Sequence, residues 1–181
     1  MKALVVYESM FGNTQKIAEA VAKGLSSRMK VDLVEVGSAP NAFDNETVLL
    51  VVGGPTHAFG ISRENTRRQA AEQAKSGLVS RGRGLREWLS GINKAQAPAA
   101  AVAFDTRLAK PGWLAAAGTA GRAIDKRLHK LGLRVVASPE GFMVEGVSGP
   151  LLGGEIDRAR RWGEELASKL PLTEANRPSR S

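Results

Sequence analysis

The chain has 181 residues, 43% of them apolar and 24% charged, a balance that suits one globular domain with a substantial core. It has no cysteine, which excludes disulfides, thiolate nucleophiles and cysteine-held metal centres; its two histidines, His57 and His129, lie far apart in sequence and set up no metal site. The formal net charge of +8 leaves four explanations open: nucleic acid, an acidic partner, anionic substrates, or a plain arginine-rich surface.

Residues 3–7 are a short apolar run, preceded by Lys2 and stopped by Glu8. That is not a signal-peptide pattern, and no apolar run reaches membrane-spanning length. A cytoplasmic protein without a membrane span is therefore expected. A polar turn with a glycine, residues 8–13, leads into a helical pattern over 14–27, with Ile17, Val21 and Leu25 on one face. Strand, tight turn and helix start make an anion site, because the first N–H groups of a helix are unpaired and carry partial positive charge.

Four more strands are predicted, at 31–36, 48–53, 99–104 and 133–137, with 142–144 able to continue the last after a break. The runs at 3–7, 48–53 and 99–104 are continuously apolar, as expected for strands covered on both faces; 31–36 alternates less cleanly and reads as an edge. Helices are predicted at 63–76, 84–89, 120–131 and 155–170. The last opens on Gly153 and Gly154, ends at Pro171, and places Ile156, Ala159, Gly163, Leu166 and Leu170 inward. Trp88 and Trp162 fall on apolar helical faces and read as core; His129 reads as solvent-facing. The alternation predicts an α/β fold of three layers, a doubly wound five-stranded parallel sheet over residues 1–170. Residues 171–181 read as a disordered tail.

Such a sheet binds ligands at the carboxyl ends of its strands. Three segments collect there: Ser9, Met10, Phe11, Gly12, Asn13 and Thr14; then Pro55, Thr56, His57, Phe59 and Gly60; then Asp105, Thr106 and Arg107. The first is neither a Walker loop, which needs Gly-Lys-Ser/Thr, nor a Rossmann fingerprint. It offers hydroxyls, an amide and a glycine, which bind phosphate through neutral donors; it also reads as a plain helix cap at Asn13 or Thr14.

The order Ser9-Met10-Phe11-Gly12-Asn13-Thr14 after the first strand resembles the phosphate loop of flavodoxins, small FMN-binding electron carriers. Gly53-Gly54-Pro55-Thr56 is similar to a loop of flavodoxin-like NAD(P)H:quinone reductases. The resemblance covers about residues 1–170. It implies FMN as cofactor, its phosphate held by residues 9–14 and its ring flanked by 55–60 and 105–107. Phe59, His57 and Trp113 are the aromatic candidates for stacking on that ring, Phe59 foremost.

The charge departs from the family habit, which is acidic. Between Arg107 and Arg134 stand seven basic residues against one acid, Asp125. This chain therefore reads as a short-chain, basic variant, whose partner is an acidic redox protein or an anion such as NAD(P)H. Arg107 near the ring would favour reduced, anionic flavin. Residues 108–119, with four alanines and two glycines, read as a mobile loop able to admit a second substrate. The leading expectation is an electron carrier. The alternatives are an FMN-dependent NAD(P)H:quinone reductase and a non-redox binding module on the same fold. Nothing interleaves aromatic with basic residues, so nucleic acid is not the expected partner. No hydrolytic triad is marked beyond the proximity of Ser9 and His57.

Overall fold

Each apolar run of the sequence becomes a strand of one sheet. The computed structural model describes residues 1–56, 60–73, 77–93, 98, 100–109 and 118–170. The predicted tail lies outside these residues, as does most of the predicted mobile loop. The strands are β1 (Lys2–Tyr7), β2 (Lys30–Glu35), β3 (Thr47–Pro55), β4 (Ala100–Leu108), β5 (Arg134–Val135) and β6 (Glu140–Val144). Their order is β2-β1-β3-β4-β5, all parallel, with β6 also paired to β4.

β5 and β6 share the fifth place in the sheet. From Val135 to Glu140 the chain takes five steps, while their partners on β4, Ala101 to Phe104, take three. The surplus forms the break, and Pro139 within it has no N–H to give a ladder. The predicted strand at 133–137 is thus shorter than expected, and 140–144 is a full strand.

The helices are α1 (Asn13–Leu25), α2 (Glu64–Gln73), α3 (Leu85–Ser90), α4 (Ala120–Lys130) and α5 (Glu155–Lys169). They cover both faces of the sheet, which is why the central strands are continuously apolar. Along β1, Ala3, Val5 and Tyr7 pack toward α1 and α5, while Leu4 and Val6 pack toward α3 and α4. Trp162 meets Phe104 and Phe142 edge to face on the first side, and Trp88 is fully buried on the second. Both tryptophans are core, as their helical faces predict. β2 is the edge its pattern announced, with Leu33 37% exposed.

Ile156 corrects one expectation. It is 50% exposed, at the lip of an open groove between the first turn of α5 and Lys16, Glu19, Ala20 and Lys23 of α1; Ala159, Gly163, Leu166 and Leu170 face inward as predicted. Among the described residues no helix is long and apolar enough to cross a membrane.

Candidate functional site

After Tyr7 the chain turns through residues 8–12, and Gly12 completes the turn at φ +87°, in the left-handed region. A Cβ there would meet nothing within 4 Å, so the loop presents open backbone at Gly12. The N-cap of α1, which starts at Asn13, is Gly12 and has no side chain to cap with, so a plain side-chain cap at Asn13 or Thr14 is not what these residues build. Ser9 is fully buried and serves the loop itself: its Oγ accepts from Gly12 N at 3.1 Å and Gln15 N at 3.4 Å. Ser80 holds Ser9 in turn, its Oγ accepting from Ser9 N at 3.0 Å and its N–H donating to the Ser9 carbonyl at 2.8 Å.

The backbone N–H groups of Phe11, Asn13 and Thr14 donate to no acceptor among the described residues. They stand at the positive end of α1, where an anion is favoured. The two side chains at the helix start are used for placement. Asn13 Nδ2 donates to the Ser148 carbonyl at 3.0 Å, and Thr14 Oγ1 meets Thr106 Oγ1 at 2.7 Å. Thr14 and Thr106 are both buried, so this hydroxyl pair ties the loop to β4.

The second and third segments begin inside the strands rather than after them. Pro55 ends β3, while Asp105, Thr106 and Arg107 belong to β4, which runs on to Leu108. Thr56 N donates to the Thr106 carbonyl, and Thr56 Oγ1 accepts from Ala120 N, both at 2.9 Å. Thr56 therefore joins two strand ends to the start of α4. Strand alternation sends Thr106 toward α1 and Asp105 toward α4. Asp105 is fully buried and accepts from Gly121 N at 2.7 Å. Burial pushes its carboxyl up, against the pull of Arg107, Thr119 and the Gly121 N–H. Arg107 Nη1 lies 3.4 Å from that carboxylate, and its guanidinium fills the space a Cβ on Gly141 would need.

A cleft gathers the three segments. Ser9, Met10, Phe11, Asn13 and Thr14 form one side, Pro55 and Thr56 the next, Thr106 and Arg107 the third; Leu108, Val144 and Val147 close it with apolar wall. Gly12 shapes the loop without lining the cleft, and neither Asp105 nor Gly60 lines it. His57, Phe59 and Trp113 lie outside the described residues.

These observations meet the comparison with known proteins. The flavodoxin family matches residues 5–168. The chain belongs to the flavodoxin family. Among solved structures, flavodoxin 2 from Bacillus cereus in its oxidised state superposes with a TM-score of 0.63 at 15% identity, over 94% of this chain and 100% of that one. The flavodoxin of Streptococcus pneumoniae TIGR4 gives 0.62 at 18% identity, over 94% and 100%. The rubredoxin oxygen:oxidoreductase of Desulfovibrio gigas gives 0.59 at 16% identity, over 92% of this chain but 35% of that one. No curated protein matches the sequence. At these identities the structural likeness speaks for the fold alone.

This flavodoxin also has residues around the cleft that sequence reasoning missed. Val144 and Val147 reach the wall because β6 extends the sheet there, and the Ser148 carbonyl meets Asn13 across the cleft rim. No local pattern marks Ser148. Glu8 is the larger omission. It is fully buried, its Oε1 accepts from Ser62 Oγ, and its Oε2 accepts from Leu85 N at 2.9 Å. Arg67 reaches the same cluster, donating to Ser62 Oγ at 3.1 Å and pairing with Glu87 at 3.3 Å. An acid at the stop of a hydrophobic strand was the available signal.

Burial, opposed by the Leu85 N–H and the Ser62 hydroxyl, raises the Glu8 pKa above its ordinary 4.5. A raised carboxyl contributes stability that is full below pH 4.5 and lost as pH rises through the folded pKa. Glu8→Gln is therefore expected to gain on the wild type between pH 4.5 and pH 7.5. Urea unfolding of both proteins at the two pH values checks this; a constant difference would mean that Glu8 does not titrate differently on folding.

Proposed function

We propose that this flavodoxin binds FMN in the cleft and carries electrons through it, residues 1–170 forming the FMN-binding unit. The observation that carries the reading is the loop at residues 9–14. Three undonated N–H groups stand at a helix start, open backbone lies at Gly12, and the loop has no acidic side chain to repel a phosphate. That donor set fits a phosphate monoester. FMN when bound supplies one- and two-electron redox chemistry at its ring. The N–H groups of Phe11, Asn13 and Thr14 would hold the phosphate, while Pro55, Thr56, Thr106 and Arg107 would border the rest, with His57, Phe59 and Gly60 in the adjoining loop. The electrons would pass to a redox partner, and the expected setting is the cytoplasm.

Titrating the purified protein with FMN and following flavin fluorescence tests the reading. Stoichiometric quenching supports it, and no binding at micromolar protein would end it. NADPH oxidation in the presence of a quinone then separates a reductase from a carrier.

Arg107 bears on the potential. A positive charge at the cleft stabilises reduced, anionic flavin, and the Asp105 carboxylate offsets part of that effect. A residual of roughly 1 kcal/mol at the effective dielectric of a partly buried site corresponds to about 20 mV for a two-electron couple. Arg107→Gln is expected to lower the FMN midpoint potential by about that much, measured by dye-equilibrated reduction; an unchanged or raised potential would show that the Arg107 charge does not act on the flavin.

A further inference from the structure

Three exposed cations of α4, Arg122, Lys126 and Lys130, recur every fourth residue. That spacing puts them on one side of the helix, in a row about 12 Å long at 1.5 Å rise per residue. Arg127 stands beside the row. Lys126, Arg127 and Lys130 line an open cleft against Leu89 and Ser90 of α3. Burial and then the nearby Arg86 of α3 hold the Arg127 pKa down. None of these five cations forms an ion pair with a described residue. Of the acids at hand, Glu87 pairs with Arg67 at 3.3 Å, and Asp125 lies 3.4 Å from His129 Nδ1, a charge pair only when that imidazole is protonated.

Such a row works against the helix that carries it. Like charges four apart repel, and Arg122 sits in the first turn, at the positive end of the dipole. Lys130 in the last turn is favoured by the dipole, but none of the three cations has an ion-pair partner among the described residues, so the row presents its charge to whatever approaches from solvent. The row also has a direction. It starts where Ala120 N and Gly121 N bond Thr56 and Asp105, at the edge of the candidate flavin cleft, and runs away from it.

We propose that this side of α4 docks an acidic protein surface, with Arg122, Lys126 and Lys130 making the charge contacts beside the flavin end of the sheet. The proposal rests on the electron-carrier reading for its purpose, though not for its test. A protein is favoured over nucleic acid for two reasons. Among the described residues the exposed large hydrophobics, Met1, Leu33, Val79, Val147 and Ile156, include no aromatic on which bases would stack. A row of three charges is short for a phosphate backbone, where affinity comes from many contacts, but it suits a small, transient, electrostatically steered encounter between redox proteins.

The test uses a fluorescein-labelled 16-residue helical peptide with glutamates at every fourth position, titrated by anisotropy at 20 mM salt. The proteins are the wild type, the triple variant Arg122→Gln/Lys126→Gln/Lys130→Gln, and a control of equal charge change, Lys23→Gln/Arg28→Gln/Lys30→Gln. The α4 variant is expected to weaken peptide binding roughly tenfold and the control less than about twofold, as local rather than net charge demands. Equal losses in both variants overturn the proposal, as does a wild type that ignores the peptide. A 16-base-pair DNA duplex bound more tightly than the peptide, with the same dependence on α4, overturns it in favour of nucleic acid. FMN affinity measured on the same proteins is read separately: its absence would remove the carrier reading and leave the docking result standing.

Discussion

Gly163→Val is expected to lower the thermal midpoint by roughly 6–12 °C, the shift that about 3 kcal/mol gives in a chain of this size. The reason is backbone meeting backbone. A Cβ on Gly163 would overlap the Val21 carbonyl of α1 and come within 3.2 Å of Gly24 Cα and Leu25 N. Its counterpart Gly24 is as tight: a Cβ there would overlap the Arg160 carbonyl and lie 2.8 Å from Glu164 N. A flexible side chain would swing aside, but helix backbones separate only by moving apart along their length. Two effects oppose each other, and their sizes decide the sign. Removing a glycine from a helix interior ordinarily gains up to about 1 kcal/mol through propensity. Overpacking costs about 1–3 kcal/mol where side chains can relax, and here the obstacle is main chain, so the loss wins. Gly163→Ala is expected to lose less, and still to lose. Circular dichroism melts of the two variants check this; a midpoint unchanged or raised in Gly163→Ala would show that α1 and α5 do not pack at glycine distance. The consequence reaches the site, because α1 carries the residue 9–14 loop on its first turn.

The pattern of the sequence carried the fold because burial on both faces leaves an unmistakable trace. Val48 to Val52 had to be a central strand, since β3 has α1 and α5 below and α3 and α4 above. Where burial ends, the trace fades. Asp105, Thr106 and Arg107 looked like a loop because they are polar, yet they continue β4: Asp105 and Thr106 are covered by α4 and α1, and each polar side chain finds a partner there. Ile156 looked inward because helical periodicity fixes a face but not how closely the neighbour packs along it: beside Ile156 the groove to α1 stays open. In the site, residues 9–14 were readable because a glycine at a strand-to-helix turn is a local requirement. Ser148, Val147 and Val144 were not, since they join the cleft through the register of β6 on β4, a long-range fact with no local code. Glu8 was visible as a residue and invisible as a partner, because its acceptors serve Ser62 and Leu85, 54 and 77 positions away.

Replacing Asn13 and Thr14 together by alanine is expected to weaken FMN binding by about 1–3 kcal/mol, roughly 5- to 150-fold in dissociation constant. Neither side chain needs to touch the phosphate for that to hold. Two buried hydroxyls, Thr14 and Thr106, share one hydrogen bond at 2.7 Å, which leaves one hydroxyl hydrogen free to be donated elsewhere. Deleting Thr14 removes one donor and strands Thr106, and an unpaired buried hydroxyl carries its own penalty of about 1–3 kcal/mol. Deleting the Asn13 amide frees the Ser148 carbonyl, and with it the segment that brings Val147 to the cleft wall. Part of the loss will fall on the apoprotein, so FMN titration has to be read beside urea unfolding of the same variants. Thr14→Ser keeps the hydroxyl and is expected to bind FMN like the wild type, whereas Thr14→Ala alone should show most of the double variant's loss. If the double variant loses stability while its FMN affinity stays unchanged, the two side chains only shape the turn. Recognition would then rest wholly on the N–H groups of Phe11, Asn13 and Thr14, whose aim is set by the left-handed turn at Gly12. In that case Gly12→Val, which strains the turn without removing a donor, becomes the substitution that costs affinity.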